Sequence, residues 1–181
     1  LMRDKVIKNS NGYTLVEMII VIAIIAVMSG MGALTIASIK TSQAQTSMQK
    51  FDSELSALEM RTRSMSTNEA IELKQNGSDY EIYYVKYDAD TGGYTDTSGE
   101  KPDAVLQKVV IYYADDYKAS EKVNNGTSVN DMHIRIRKSD GQVLDGAGEY
   151  IFCKQNDPKS SVGSIVLNKY TGGHTYGNKG K

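Results

Sequence analysis

From Met18 to Ile39 the chain carries no charged side chain, a run of 22 residues. Coiled as an α-helix, such a run is about 33 Å long, enough to cross a bilayer core of about 30 Å. No second run of this kind follows. A chain of 181 residues with one such segment near its start is expected to hold a membrane segment and one further domain. The remaining composition narrows the options. There are 21 basic and 22 acidic residues, so the net charge gives no electrostatic footprint of a nucleic-acid binder. Cys153 is the single cysteine, which rules out an internal disulfide and leaves the fold to burial and backbone pairing. Twelve tyrosines against two phenylalanines and no tryptophan suit a small sheet with wet faces better than a large dry core.

Three kinds of N-terminal signal compete for the apolar run. A secretory signal peptide has a short apolar stretch followed by a small-residue cleavage site, whereas here the stretch is long and flows into more helix. A plain signal anchor stays uncleaved and needs nothing special before the run. The third reading accounts for more residues. Met2 to Gly12 form a basic leader through Arg3, Lys5 and Lys8, charges that stay on the cytoplasmic side. Gly12-Tyr13-Thr14-Leu15-Val16-Glu17 follows, and then the apolar run begins at Met18. This resembles the prepilin signature of the type IV pilin and pseudopilin family. In that signature a glycine precedes an aromatic residue and a glutamate stands fifth in the mature chain. The resemblance implies cleavage between Gly12 and Tyr13 by a prepilin peptidase, and methylation of the new amine on Tyr13. The family usually has phenylalanine there, so tyrosine is a departure.

A carboxylate at the edge of an apolar run costs about 2.5–3.5 kcal/mol if placed at the bilayer centre, so Glu17 calls for a partner. The resemblance supplies one, the free N-terminal amine of a neighbouring subunit. The alternative is that Glu17 rests at headgroup level.

Beyond Lys40 the sequence turns polar but keeps a period. Ala37, Thr41, Ala44, Met48, Phe51, Leu55, Leu58, Thr62 and Met65 recur in steps of three and four, a narrow stripe on an amphipathic helix. No proline interrupts Tyr13 to Thr67, so one helix from Tyr13 to Ser66 is predicted. The resemblance implies that its first half serves membrane and filament core, and that its second half packs on a sheet. Many pilins carry a proline about twenty-two residues into the mature chain. Leu34 stands there instead, with Ser29, Gly30 and Gly32 near it.

From Glu69 the period changes to two. Strands are predicted at 70–73, 80–87, 104–114, 132–138, 149–154 and 164–168. Met132, Ile134 and Ile136 should point inward, and His133, Arg135 and Arg137 outward. Residues 117–131 read as a loop, Ser139-Asp140-Gly141 as a hairpin turn, Asp157-Pro158 as part of a turn and 171–181 as a loose end.

The expected class is α+β: a long N-terminal helix packed on a C-terminal antiparallel sheet of about five to seven strands, as in pilins. The domain boundaries follow as leader 1–12, transmembrane and filament-core helix 13–39, amphipathic helix 40–67 and β domain 68–181. In the order of its elements the globular part resembles the GspH/FimT-type minor pseudopilins. Some of those use a Gly-Arg-x-Arg segment on DNA, where this chain reads Gly173-His174-Thr175-Tyr176. Direct DNA binding is therefore not expected. The partners implied are other pilin or pseudopilin subunits, the prepilin peptidase, an inner-membrane assembly platform and, before assembly, membrane lipid. No cofactor is implied. The expected location is the cell membrane in a single pass, with the β domain extracytoplasmic, and then the filament.

Candidates for chemistry are few, and no catalytic residue is assigned. Cys153 with His133 and Arg135 or Arg137 would be a sortase-like constellation on an anchored β domain, but the Thr-Leu-x-Thr-Cys context is missing. A cysteine in a strand is more often a small buried hydrophobe. No His/Cys/Asp/Glu spacing fits a zinc site, and no metal is assigned. Asp88, Asp90, Thr91, Asp96 and Glu100 crowd oxygens without the spacing of a calcium loop. Tyr83, Tyr84, Tyr87, Tyr112 and Tyr113 form either an exposed patch for a partner subunit or ordinary strand positions.

Overall fold

The structure is a computed structural model. It describes residues 13–64, 68–114, 127–128, 131–155 and 157–177, without the side chains of 30–37, 127–128 and 158–159. The chain divides into two units, Leu1–Ser38 and Ile39–Lys181. One helix, α1 (Leu15–Ser64), opens it. Eleven strands follow among the described residues: β1 (Glu69–Asn76), β2 (Asp79–Asp88), β3 (Gly93–Tyr94), β4 (Ala104–Leu106), β5 (Val109–Ala114), β6 (Thr127–Ser128), β7 (Asp131–Ile136), β8 (Val143–Asp145), β9 (Gly148–Lys154), β10 (Asp157–Leu167) and β11 (His174–Gly177).

In the first unit the described side chains 13–29 are all exposed. Met18, Ile20, Ile22, Ile24 and Val27 each show about half or more of their surface, and they stand on different sides of the helix. Among the described residues no helix is long and apolar enough to cross a membrane. The predicted span from Met18 to Ile39 passes through 30–37, whose side chains lie outside the described residues.

In the second unit α1 buries one stripe, as its period predicts. Ala44, Phe51, Leu55, Leu58 and Thr62 are buried, and Ser47 joins them. Ala37 and Met65 of the predicted stripe lie outside the described side chains. Ser47 is buried without being apolar because its hydroxyl donates to the Gln107 carbonyl at 3.0 Å. Arg61 and Arg63 stand in the last turn, where positive charge suits the carbonyl end of the helix dipole.

The strands form two antiparallel sheets rather than the single sheet expected. One has the order β3-β2-β1-β7-β8, with β4 also on β2; the other runs β11-β10-β9-β5-β6. A single core draws on both sheets and on α1, with Phe51, Leu55, Ile71, Ile82, Ile134, Tyr150, Phe152 and Ile165 among its members. The Phe51 ring lies 5.0 Å from Tyr150 and 5.5 Å from Phe152, tilted on both. A small second cluster, Ala70, Tyr83 and Val85 with Tyr94 against it, covers the opposite face of β1 and β2. Burial on both faces explains why Ala70 to Leu73 are buried without alternation.

The predicted strand 104–114 is two strands in different sheets. Ala104 and Leu106 are buried, and so are Val109 and Ile111, so the inward phase slips by one residue at Gln107-Lys108. Keeping phase would have buried the Lys108 ammonium. Instead Lys108 takes φ 50, and its N–H donates to Asp79 Oδ1 at 2.8 Å. A left-handed conformation costs a non-glycine residue about 1–2 kcal/mol. Lys108→Gly is therefore expected to stabilise the domain by up to about 1 kcal/mol, read as a higher urea midpoint at unchanged slope.

Three further expectations need correction. Asp157-Pro158 does not lie in a turn; β10 starts at Asp157, and register shifts between Asp157 and Ser161 and between Ser161 and Gly163 absorb the irregularity. The end of the chain is not loose as far as Gly177, because β11 pairs with β10 from His174 to Gly177. Within the predicted loop 117–131, Thr127 and Ser128 pair with β5 and Asp131 opens β7; 117–126 and 129–130 lie outside the described residues. The Ser139-Asp140-Gly141 turn does join β7 to β8, and Gly141 has φ 78. No side chain fits comfortably there, since a Cβ on Gly141 would stand 3.1 Å from the Thr171 carbonyl oxygen.

Candidate functional site

The helix start holds the residues that the sequence singles out. Tyr13 is 80% exposed and precedes α1. Glu17 Oε2 accepts from the Thr14 N–H at 2.8 Å and from the Thr14 hydroxyl at 2.9 Å. The Glu17 N–H donates back to Thr14 Oγ1 at 3.3 Å. This is a reciprocal capping box, which satisfies donors that a helix start otherwise leaves open. The sequence reading missed this role for Glu17, although Thr14-x-x-Glu17 ahead of an apolar run carries its signature. The geometry puts the carboxylate on the first turn, at the end where Tyr13 begins. Gly12, Arg3, Lys5 and Lys8 lie outside the described residues.

Around this start the comparisons are informative. Residues 7–33 match the family model described as the prokaryotic N-terminal methylation motif. The N-terminal segment of this chain is thus of the type IV pilin and pseudopilin kind. Comparison with curated proteins found no match, and comparison with solved structures found none. The match covers 7–33, and the architecture behind it, a helix followed by a curled antiparallel β domain, is consistent with a pilin-like fold.

The sortase-like constellation is not assembled. Cys153 lies on β9 of the five-stranded sheet, opposite Val110 and Ser161, while His133 lies on β7 of the six-stranded sheet. The Cys153 thiol is buried, and burial pushes its pKa up to about 11. Arg135 is engaged by Asp145 at 2.7 Å and lies over the Tyr87 ring, and Arg137 pairs with Asp140 at 3.0 Å. A thiol in this state is not a nucleophile at neutral pH. Alkylation of the folded protein at pH 8 should run at least about a hundredfold slower than after unfolding, as timed by mass spectrometry.

Burial also raises the phenols of Tyr84 and Tyr94, each with a carboxylate partner, Glu54 and Asp145, adding to the shift. For groups whose pKa is raised on folding, stability is intact below the unfolded value and falls as pH rises toward the folded one. The domain should therefore lose stability progressively from about pH 9 upward, seen as a falling unfolding midpoint.

The acidic loop is not gathered around one point. Asp88 accepts from the Asp90 N–H at 2.9 Å and the Thr91 hydroxyl at 2.9 Å, while Asp96 accepts from the Ser98 hydroxyl at 2.7 Å and N–H at 2.9 Å. Each carboxylate closes its own turn, and those bonds hold both below the usual carboxylate range. The tyrosines do not make one exposed patch. Tyr84 donates to Glu54 of α1, Tyr113 packs on Tyr150, Tyr83 is buried in the second cluster and Tyr87 packs on Tyr94.

The structure brings together one group that no sequence spacing reveals. Glu72, Asp131 and His133 each place a ligand atom within 4.8 Å of the others. The cause is register: Glu72 faces His133 across β1 and β7, and Lys74 faces Asp131 two pairs further on, on the same face of the sheet. Near the end of the chain, His174 Nε2 stands 3.2 Å from Asp52 Oδ1, and the Tyr176 hydroxyl donates to Asp52 Oδ2 at 3.1 Å. The segment Gly173 to Tyr176 is thereby tied to α1.

Proposed function

We propose that this chain is a structural subunit, of the minor pilin or pseudopilin kind, in a type IV pilus, a competence pseudopilus or a type II secretion pseudopilus. The observation that carries the reading is the methylation motif at 7–33, with Gly12, Tyr13 and Glu17 in the prepilin arrangement at the mouth of an apolar helix. Residues 1–12 are the leader, which a prepilin peptidase hydrolyses from Tyr13. The new amine on Tyr13 is methylated. Residues 13–39 anchor the subunit in the membrane in one pass and later form filament core. Residues 40–67 carry the β domain, 68–181, on the extracytoplasmic side.

Support also comes from exposure. A helix whose described residues 13–29 are all exposed has no place in water as an isolated subunit, and it needs lipid or neighbouring helices around it. Moving from lipid to helix neighbours changes its apolar surroundings little. What changes is Glu17, which gains a cationic partner in the Tyr13 amine of the next subunit. The order of elements favours the GspH/FimT-like minor class. Direct DNA contact through Gly173 to Tyr176 is disfavoured, since that stretch has no arginine and is tied to Asp52.

The test is the intact mass and N-terminal sequence of the protein purified from its own membrane. The expected chain starts at Tyr13, with a methyl group on its amine. A chain that starts at Met2 would be an uncleaved anchor, and the filament reading would fall.

A further inference from the structure

We propose that Glu72, Asp131 and His133 bind a divalent transition-metal ion of the zinc class, with the remaining coordination positions open to water. The inference concerns the β domain and does not rest on the filament reading. The ligand atoms come from adjacent, directly paired strands, so their Cα positions are set by the sheet ladder. Glu72 Oε1 lies 3.7 Å from His133 Nε2. A zinc ion about 2.0–2.2 Å from each donor holds its ligand atoms roughly 3.3–3.6 Å apart, so these two are close to binding separation. Asp131 is exposed at the start of β7 and closes on them by side-chain rotation.

The surroundings hold the ligands in place. Glu72 is a buried carboxylate, and Thr97 donates its hydroxyl to Oε2, which leaves Oε1 toward the histidine. The His133 ring is stacked on Tyr94, centroids 3.8 Å apart and planes 10° apart. The Tyr94 hydroxyl donates to Asp145, which in turn holds Arg135. The stack fixes the plane of the imidazole, and the Asp145 bond fixes the tyrosine it lies on. One imidazole and two carboxylates suit zinc, manganese or iron(II), and zinc is the strongest binder of the three.

A cation already stands at the edge of the group. Lys74 Nζ donates to Glu72 Oε1 and to Thr97 Oγ1, each at 3.0 Å. Its side chain is 36% exposed, so the ammonium can leave toward solvent when a metal arrives. Lys74 and the metal therefore compete for the same carboxylate oxygen. That gives a signature which adventitious binding to a surface histidine lacks: removing the ammonium must tighten zinc.

The experiment uses the full chain in detergent, stripped by chelator and titrated with zinc alone against a chromophoric chelator. The expected result is one zinc per chain. His133→Gln and Asp131→Asn should each weaken it at least about tenfold, and Lys74→Met should tighten it by about tenfold. His174→Gln, beside Asp52, should change nothing. Unfolding midpoints of the metal-free variants check that each is folded, and exposed Asp131 supplies the test if His133→Gln is not. The proposal is overturned if no zinc is retained at micromolar free metal, or if Lys74→Met leaves affinity unchanged. It is equally overturned if zinc is lost with His174→Gln rather than with Asp131→Asn.

Discussion

Glu17→Gln should leave the subunit processed and in the membrane but reduce its incorporation into filaments at least about tenfold, equivalent to about 1.4 kcal/mol. The amide keeps an acceptor for the Thr14 N–H and hydroxyl, so the capping box survives in the variant. What is lost is the negative charge. If the carboxylate serves as the partner of a neighbour's Tyr13 amine, a neutral amide leaves that amine unpaired in apolar surroundings, which costs several kcal/mol. Thr14→Ala is the complementary change. It removes a cap worth about 1 kcal/mol and keeps the charge, so incorporation should persist. Quantifying the subunit in sheared filaments against its membrane pool separates the two. Normal incorporation of Glu17→Gln with failure of Thr14→Ala would make Glu17 a helix cap and nothing more.

Phe51→Ala should destabilise the β domain by about 3–5 kcal/mol, out of about 5–15 kcal/mol for a typical domain, and lower its melting temperature by about 10 °C or more. The ring is fully buried and packs on Tyr150 and Phe152 of β9, with Leu55 and Leu58 of its own helix in the same core. Its removal opens a cavity where α1 and the five-stranded sheet meet. Met60, on the same helix but 70% exposed, provides the contrast: Met60→Ala should stay within about 0.5 kcal/mol of the parent. Calorimetry of the two variants checks both values. Equal melting temperatures would mean that α1 is not part of the cooperative unit.

Much of the architecture was readable along the chain because it depends on local period. The stripe from Ala44 to Thr62 turned inward because residues three and four apart share a helix face. Ile134 and Ile136 turned inward because alternate residues share a sheet face. The hairpin at Asp140-Gly141 was readable because a turn imposes its backbone on a few adjacent residues. The break at Lys108 was visible too, as a slip in phase between Leu106 and Val109, but only if the burial of a lysine is weighed against an uninterrupted strand.

Other features had no local signature. β11 forms at His174-Thr175-Tyr176-Gly177 because β10 offers it a ladder and Asp52 offers it two polar contacts, and Asp52 is more than a hundred residues away. Nothing in a glycine-rich end announces that. Glu72, Asp131 and His133 are likewise brought together by register alone, since β1 and β7 are neighbours although about sixty residues separate them.

By itself, then, the sequence determined the N-terminal motif, the long helix and the alternating strands, because each is encoded by residues within a few positions of one another. Only the tertiary structure decided that the strands divide into two sheets, that Cys153 is buried away from His133, and that Glu72, Asp131 and His133 meet on one face. Those outcomes depend on which distant segments pair and in what register. Period and propensity do not carry that information, because a strand of given pattern fits many partners until the shared core selects one.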